Sequence, residues 1–227
     1  MFLGDSWTEG TGVEFEETYS KRVTDKLSDR YDRAANNWNL GVRGASYDYI
    51  ARTLMLSLDI LKPDIVFITF PVMDRREYFS VEGEMVNLSI GTFAAIERGD
   101  ASPSPIVRDI YRHWGGLYSP TNDTAQAIMN YKFIESMLTQ RNIMWGFSTN
   151  DWSPCPAIVE ELVKYGLFDA GHYLGNCFQK LGQISDIDGH PDVESHENYS
   201  GQIAAWLEMR YGARLKELTG TDNENSL

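Results

Sequence analysis

The chain has 227 residues, with 20 basic and 33 acidic side chains, a formal net charge of −13, and 42% hydrophobic positions. A surface with this excess of acidic groups repels a phosphate backbone, so we expect no nucleic-acid binding. The two cysteines, Cys155 and Cys177, are too few for a disulfide framework and lack metal-ligand spacing. We expect both thiols to be reduced or passively buried.

The sequence also predicts no membrane span. Its most apolar stretch, Ile65 to Phe70, has the length of a strand, whereas a membrane helix needs about 20 apolar residues. No basic segment and no apolar core precede Gly4, so we expect no secretory signal and a cytoplasmic or virion-associated protein. The oligomeric state is not indicated.

Strand-like and helix-like segments alternate over the first 70 residues. A short strand over Met1 to Leu3 precedes a helix with an apolar stripe repeating every four residues. That stripe is Phe15, Tyr19, Val23 and Leu27. Trp38 to Leu40 follows as a second strand, and the next helix carries an apolar face. That face is Ile50, Leu54, Leu58 and Leu61. After the helix-breaking Lys62-Pro63, Asp64 to Phe70 reads as a buried strand, which completes a βαβαβ pattern typical of a parallel sheet.

Regular alternation is lost between residues 75 and 120, which predicts an insertion or lid with one helix candidate over Ile106 to Trp114. The later predicted elements are a helix over 124–140, a strand over 143–148, a helix over 156–165 and a closing helix over 195–218. In the closing helix, Tyr199, Ile203, Trp206 and Leu207 are expected to face inward. We therefore predict an α/β fold, with one domain over residues 1–218 and a polar tail over 219–227.

Three short motifs lie where a parallel sheet places its functional loops. Gly4-Asp5-Ser6 follows the first strand, and Asn39-x-Gly41-x-x-Gly44 follows the second. Asp188-x-His190-Pro191 comes just before the closing helix. A serine, a histidine and an aspartate are the groups that nucleophilic acyl transfer needs, because a hydroxyl becomes nucleophilic only when a base takes its proton.

With these three motifs in this order, the sequence resembles the SGNH (GDSL-type) hydrolase family over most of its length. The resemblance implies a flavodoxin-like, three-layer α/β/α fold and hydrolysis of esters, often acyl groups on carbohydrates or lipids. It implies that Ser6 is the nucleophile, His190 the base and Asp188 the carboxylate that orients His190. The N–H groups of Ser6 and Gly44 would form part of an oxyanion hole. This chemistry needs no cofactor and no metal.

Two positions depart from the family pattern. The family usually has an asparagine after the third strand as an oxyanion donor, and this chain has Met73 there. We expect Arg75 to supply the missing donor, with Arg76 and Asn39 as alternatives. The family's commonest spacing is Asp-x-x-His, so Asp186 remains an alternative to Asp188 as the orienting carboxylate.

Ordinary structural roles compete with several of these assignments. Ser6 is also a common helix N-cap type, and His196 is a second candidate base in the same segment. The acidic and histidine residues over 186–196 do not follow a zinc or calcium pattern. We expect an aromatic substrate-binding wall near Ser6, although aromatic clusters are often core. Its members are Trp7, Trp114, Tyr118 and Trp152.

The sequence thus predicts a serine esterase that acts on an O-acyl or O-acetyl carbohydrate or on a small acyl ester. A non-catalytic carbohydrate-recognition module with a degenerate site, viral or surface-associated, is the alternative from another class. An acyltransferase that uses the same triad is a third reading.

Overall fold

The described part of the chain is built around a sheet of parallel strands. A computed structural model describes residues 1–81, 83–150, 156–178 and 189–220. The strands are β1 (Phe2–Gly4), β2 (Asn39–Gly41), β3 (Ile65–Phe70), β4 (Arg76–Phe79), β5 (Met85–Leu88), β6 (Met144–Thr149) and β7 (Tyr173–Asn176). Five of them, in the order β2-β1-β3-β6-β7, form the main sheet, and β4 pairs with β5 in an antiparallel hairpin.

Helices cover both faces of this sheet. The helices of the described residues are α1 (Ser6–Glu9), α2 (Tyr19–Tyr31), α3 (Tyr47–Leu61), α4 (Ile90–Arg98), α5 (Pro105–Leu117), α6 (Pro120–Gln140), α7 (Ala157–Lys164) and α8 (Val193–Thr219). The larger apolar core lies between the sheet and α3, α6 and α7, and a second core lies between the sheet and α2 and α8. Among the helices in the described ranges, none is long and apolar enough to cross a bilayer.

The predicted parallel α/β sheet is confirmed. Every neighbouring pair in the main sheet is parallel. If only these five strands are counted, their order is 2-1-3-4-5, which is the flavodoxin-like arrangement. All five carboxyl ends therefore meet at one edge of the sheet, where the loops after β1, β2 and β3 lie together.

The periodic stripes predict the buried faces well and the element ends less well. Tyr19, Val23 and Leu27 are buried as expected, but Phe15 is 47% exposed and lies in a separate 3₁₀ turn, Phe15–Glu17. The reason is Thr18, whose side chain accepts from the Lys21 N–H and caps α2, so the helix begins after Phe15. The strand β7 carries no strong alternation and was not predicted.

The insertion is more regular than its sequence suggests. Instead of one helix, it contains the β4–β5 hairpin and the helices α4 and α5, with an apolar cluster of its own. The buried members of that cluster are Leu88, Ile96, Tyr111 and Trp114. Two ion pairs hold the hairpin to α3: Arg52 with Glu77 (2.6 Å) and Arg76 with Asp48 (2.9 Å).

The close packing of α8 on β6 can be tested at Gly146. A Cβ at this position would lie 2.3 Å from Trp206 Cη2, so Gly146→Ala overpacks the core. We expect it to lower the free energy of unfolding in urea by about 1–3 kcal/mol. Gly212→Ala in α8, where nothing lies within 4 Å of an added Cβ, is the matched control. It should raise stability by about 0.5–1 kcal/mol, and equal stability of both variants would contradict the packing.

Candidate active site

Ser6 lies at the carboxyl edge of the sheet, directly after β1. It is the first residue of α1, a helix of four residues, and it is 8% exposed. Asp5 is the N-cap, and its side chain accepts a hydrogen bond from the Trp7 N–H at 3.1 Å. Because the helix begins at Ser6, the Ser6 N–H has no carbonyl partner within the helix.

The structure brings Ser6 together with His190. Ser6 Oγ lies 3.0 Å from His190 Nε2, although 184 positions separate the two residues along the chain. His190 is in the loop that leads into α8. The helix α8 packs against α2 on one face of the sheet. A distance of 3.0 Å allows the imidazole to accept the hydroxyl proton.

Three predicted site residues lie outside the described residues. They are Asp186 and Asp188, the alternatives for the orienting carboxylate, and Trp152 of the aromatic wall. Their roles stay predictions.

A buried carboxylate organises the loops around Ser6. Asp5 has no exposed surface, and its Oδ2 accepts from Arg75 at 2.6 Å and from Asn150 Nδ2 at 2.9 Å. These three residues follow β1, β3 and β6, the three central strands. Arg75 thus contacts the residue before Ser6, and its predicted role as an oxyanion donor stays a prediction. Sequence reasoning missed Asn150, whose only signal is its position two residues after the fourth predicted strand.

The backbone N–H groups of Ser6 and Gly44 lie at this edge, and neither has an acceptor within the described residues. Gly44 has φ of +73°, a conformation that side-chain-bearing residues adopt at a cost. Asn39 lies nearby, where its Nδ2 donates to the Thr8 carbonyl (2.7 Å) and its Oδ1 accepts from the Gly41 N–H (3.0 Å). Asn39 therefore joins the second loop to α1, while its predicted part in the oxyanion hole stays a prediction.

Met73 has an apolar packing role. Its side chain is partly buried and packs on the apolar core that α3 and α6 share with the sheet. Met73, predicted to stand in place of an oxyanion-donating asparagine, therefore serves packing in this chain.

Buried hydroxyl groups connect the elements beneath the site. Tyr19 Oη lies 2.8 Å from Thr8 Oγ1 and 3.0 Å from Thr69 Oγ1, and the Ser148 hydroxyl bonds Tyr199. Burial raises the pKa of both Tyr19 and Tyr199, so the phenols stay neutral. This network links α1, α2, β3, β6 and α8 through one set of donors and acceptors.

His196, the alternative base, has a structural position. It is fully buried, and its Nδ1 accepts from the Tyr19 N–H at 3.0 Å. Burial, helped by the positive charge of Arg22, lowers its pKa from 6.5 to about 4. His196 is therefore neutral at pH 7 and joins the first turn of α8 to the first turn of α2.

The predicted aromatic wall is divided between two packing environments. Trp7 is buried with its ring edge-to-face on Phe178, at a centroid distance of 5.4 Å. Trp114 is buried within the insertion cluster and contacts Tyr118 at 5.5 Å. Substrate binding by these rings stays a prediction. In the part of the chain that the structure describes, no three His, Cys, Asp or Glu side chains are grouped to hold a metal ion.

The Asp5–Arg75 pair should matter for stability. Arg75→Met leaves the Asp5 carboxylate buried without its main counter-charge. We expect a loss of about 2–3 kcal/mol in the free energy of unfolding, below the usual cost for fully buried pairs because Arg75 is partly exposed. Adding Asp5→Asn should recover part of this loss. Arg141→Met, which breaks the exposed pair with Asp59, is the control and should cost less than about 0.5 kcal/mol. Equal losses of unfolding free energy for Arg75→Met and Arg141→Met would contradict the inference that the Asp5–Arg75 pair stabilises the fold.

The low pKa of His196 makes folding sensitive to acid. The unfolded chain binds a proton at His196 below pH 6.5, whereas the folded chain binds it only near pH 4. His196 therefore contributes stability that is present above pH 6.5 and is lost as the pH falls toward 4, amounting to about 2–3 kcal/mol. Asn at this position keeps an acceptor for the Tyr19 N–H but does not titrate. When the pH is lowered from 7 to 4.5, the free energy of unfolding in urea should fall by about 2–3 kcal/mol less for His196→Asn than for the wild type. The exposed His113→Asn should follow the wild-type curve.

Comparisons with known proteins support the family and the fold. The sequence profile of the GDSL-like lipase/acylhydrolase family matches residues 2–129, more than half of the chain. No curated protein sequence matches the chain.

Solved structures match at the level of the fold. The esterase EstA from Pseudoalteromonas sp., a psychrotrophic enzyme solved with monoethylphosphonate as inhibitor, has a TM-score of 0.58 at 14% identity, covering 93% of this chain and 97% of its own. TesA has a TM-score of 0.57 at 14% identity, with 92% and 97% covered. The lipase Lip_vut3 from a goat rumen metagenome has a TM-score of 0.52 at 15% identity, with 90% and 95% covered.

The family profile begins at β1, includes the Ser6 and Gly44 loops and ends within α6. On this sequence match, together with the shared fold, the chain belongs to the GDSL-like lipase/acylhydrolase family of ester-hydrolysing enzymes.

Proposed function

We propose that this chain hydrolyses an O-acyl or O-acetyl group on a carbohydrate, or a small acyl ester, with Ser6 as nucleophile and His190 as base. The observation that carries the proposal is the 3.0 Å separation of Ser6 Oγ and His190 Nε2. Family membership supplies the reaction class, and this contact supplies the groups that perform it.

Acylation starts when neutral His190 takes the Ser6 proton through Nε2 as Ser6 Oγ bonds to the ester carbonyl carbon. The carbonyl oxygen becomes an oxyanion, and the N–H groups of Ser6 and Gly44 donate to it. His190 then gives its proton to the leaving alcohol as the ester C–O bond breaks. Water attacks the acyl-enzyme with His190 again as base, which releases the carboxylic acid and restores Ser6.

The third member of the triad is proposed by family resemblance. Asp188, or alternatively Asp186, would accept from His190 Nδ1–H, which would keep Nε2 free of its proton and aimed at Ser6. A carboxylate in this role also stabilises the imidazolium that forms during the reaction.

The contacts of Met73 and Arg75 support a site with fewer strong oxyanion donors than the family usually has. Met73 packs in the core, and Arg75 is paired with Asp5. One missing oxyanion donor typically lowers kcat by about 10²–10³-fold. We therefore propose that turnover is fastest on esters with good leaving groups, such as phenyl acetates.

Two competing functions give different results in simple assays. A carbohydrate-recognition module would bind sugar without hydrolysing any activated ester. An acyltransferase would form an acylated product when acceptor alcohols are added, whereas the esterase releases free acid. The Ser6–His190 contact favours the two catalytic functions over the module.

A fluorophosphonate probe tests the nucleophile. Ser6 Oγ should bond to phosphorus and displace fluoride, with His190 taking the proton, to give one added phosphonyl group by mass spectrometry. Ser6→Ala should abolish labelling, and its kcat on p-nitrophenyl acetate should fall at least about 10³-fold.

Matched controls separate chemistry from folding. Ser136→Ala removes an exposed serine on α6 and should label and turn over as the wild type does. His190→Asn should abolish activity, whereas His196→Asn should retain it at pH 7. A wild-type protein that neither labels nor hydrolyses any activated ester would refute the proposed function.

A further inference from the structure

The insertion touches the second loop through the side chain of Asn87. Asn87 is in β5, and its Nδ2 donates to the Arg43 carbonyl at 3.2 Å. Its Nδ2 and Cβ each lie 3.5 Å from the position that a Cβ would take on Gly44. Asn87 Oδ1 is buried and has no partner among the described residues, so the amide contacts this loop as a donor.

The Arg43–Gly44 peptide is the central peptide of a tight turn. The Ala45 N–H donates to the Val42 carbonyl at 3.0 Å, and Gly44, the third residue, has φ of +73°. This is the type II pattern. Type I and type II turns differ by a flip of the central peptide, which reverses the directions of its carbonyl and its N–H.

A hydrogen bond to Arg43 O therefore decides where the Gly44 N–H points. Both groups belong to one planar trans peptide and point in opposite directions. A donor on the carbonyl holds the type II state and also polarises the peptide, which strengthens its N–H as a donor. The Gly44 N–H has no acceptor within the described residues, so it is available to a ligand.

Asn87 is itself held from two sides. The Tyr111 hydroxyl donates to the Asn87 carbonyl at 2.7 Å, which fixes β5 against α5. Across the hairpin Asn87 pairs with Glu77, and Glu77 binds Arg52 of α3 through two hydrogen bonds of 2.8 and 2.6 Å. The insertion thus presents the Asn87 amide to the turn from a braced position.

We propose that Asn87 is a positioning residue for ester hydrolysis: it locks the Val42–Ala45 turn so that the Gly44 N–H points at the developing oxyanion. This inference rests on the proposed function, in which the Gly44 N–H is an oxyanion donor. The insertion would then support the oxyanion hole, to which the apolar side chain of Met73 cannot donate a hydrogen bond.

Asn87→Asp tests the proposal, because it keeps the shape of the side chain and replaces the donor with an acceptor that repels Arg43 O. We expect kcat on p-nitrophenyl acetate to fall about 10- to 100-fold with little change in KM. Affinity for phenylboronic acid, which becomes tetrahedral on Ser6 and places an oxygen in the oxyanion hole, should fall by a similar factor. The ¹⁵N–¹H resonance of Gly44 should also shift. Asn122→Asp on the exposed start of α6 is the control and should behave as the wild type.

Tyr111→Phe offers a milder second variant should Asn87→Asp destabilise the insertion. It loosens the brace on Asn87 without touching the turn, and we expect an intermediate fall in kcat and in boronate affinity. If both variants hydrolyse the ester within about twofold of the wild-type kcat, or if KM alone changes, the proposal is overturned. An inactive wild type would instead refute the proposed function itself, so the two failures are distinguishable.

Discussion

One buried negative charge constrains the geometry of this site. An ionised carboxylate without solvent must find hydrogen-bond donors and a counter-charge, or folding loses several kcal/mol. Asp5 finds them in the Trp7 N–H, Arg75 and Asn150, which come from the ends of the three central strands. All of these bonds form together only when β1, β3 and β6 are in register and α1 begins at Ser6. The position of Ser6 therefore follows from the hydrogen bonds and the ion pair that satisfy the charge of its neighbour, Asp5.

His190 reaches the same edge of the sheet through helix packing. His190 precedes α8, and α8 is fixed on α2 where His196 accepts from the Tyr19 N–H. Tyr19 in turn bonds Thr8 of α1, two residues after the nucleophile. A short series of buried hydrogen bonds thus connects the front of the chain to the segment that carries the imidazole. These contacts accompany a separation of 3.0 Å between Ser6 Oγ and His190 Nε2, a distance at which a proton can be transferred.

The parallel sheet was predictable from sequence because periodic stripes are local signals. The pairing of Ser6 with His190 was predictable from three short motifs and their resemblance to a known hydrolase family. The partners of Arg75 and Asn150 were not, since both side chains depend on contacts that span 70 and 145 positions to Asp5. His190 and His196 lie in the same segment of the sequence, and the structure separates them: His190 contacts Ser6, whereas His196 is fully buried against Tyr19. The strand β7 was missed because four half-buried residues at an edge give little alternation. The insertion was underestimated because its hairpin is half exposed on both faces.

The small apolar cluster of the insertion has a consequence for how this enzyme can diversify. Because Leu88, Ile96, Tyr111 and Trp114 pack mainly on one another, the unit they form has a folding free energy partly its own. Natural selection can therefore lengthen, shorten or replace its outer surface without rebuilding the sheet beneath it. The contact of Asn87 with the Arg43–Gly44 turn, on the inner side of the insertion, then stays in place while the outer surface varies.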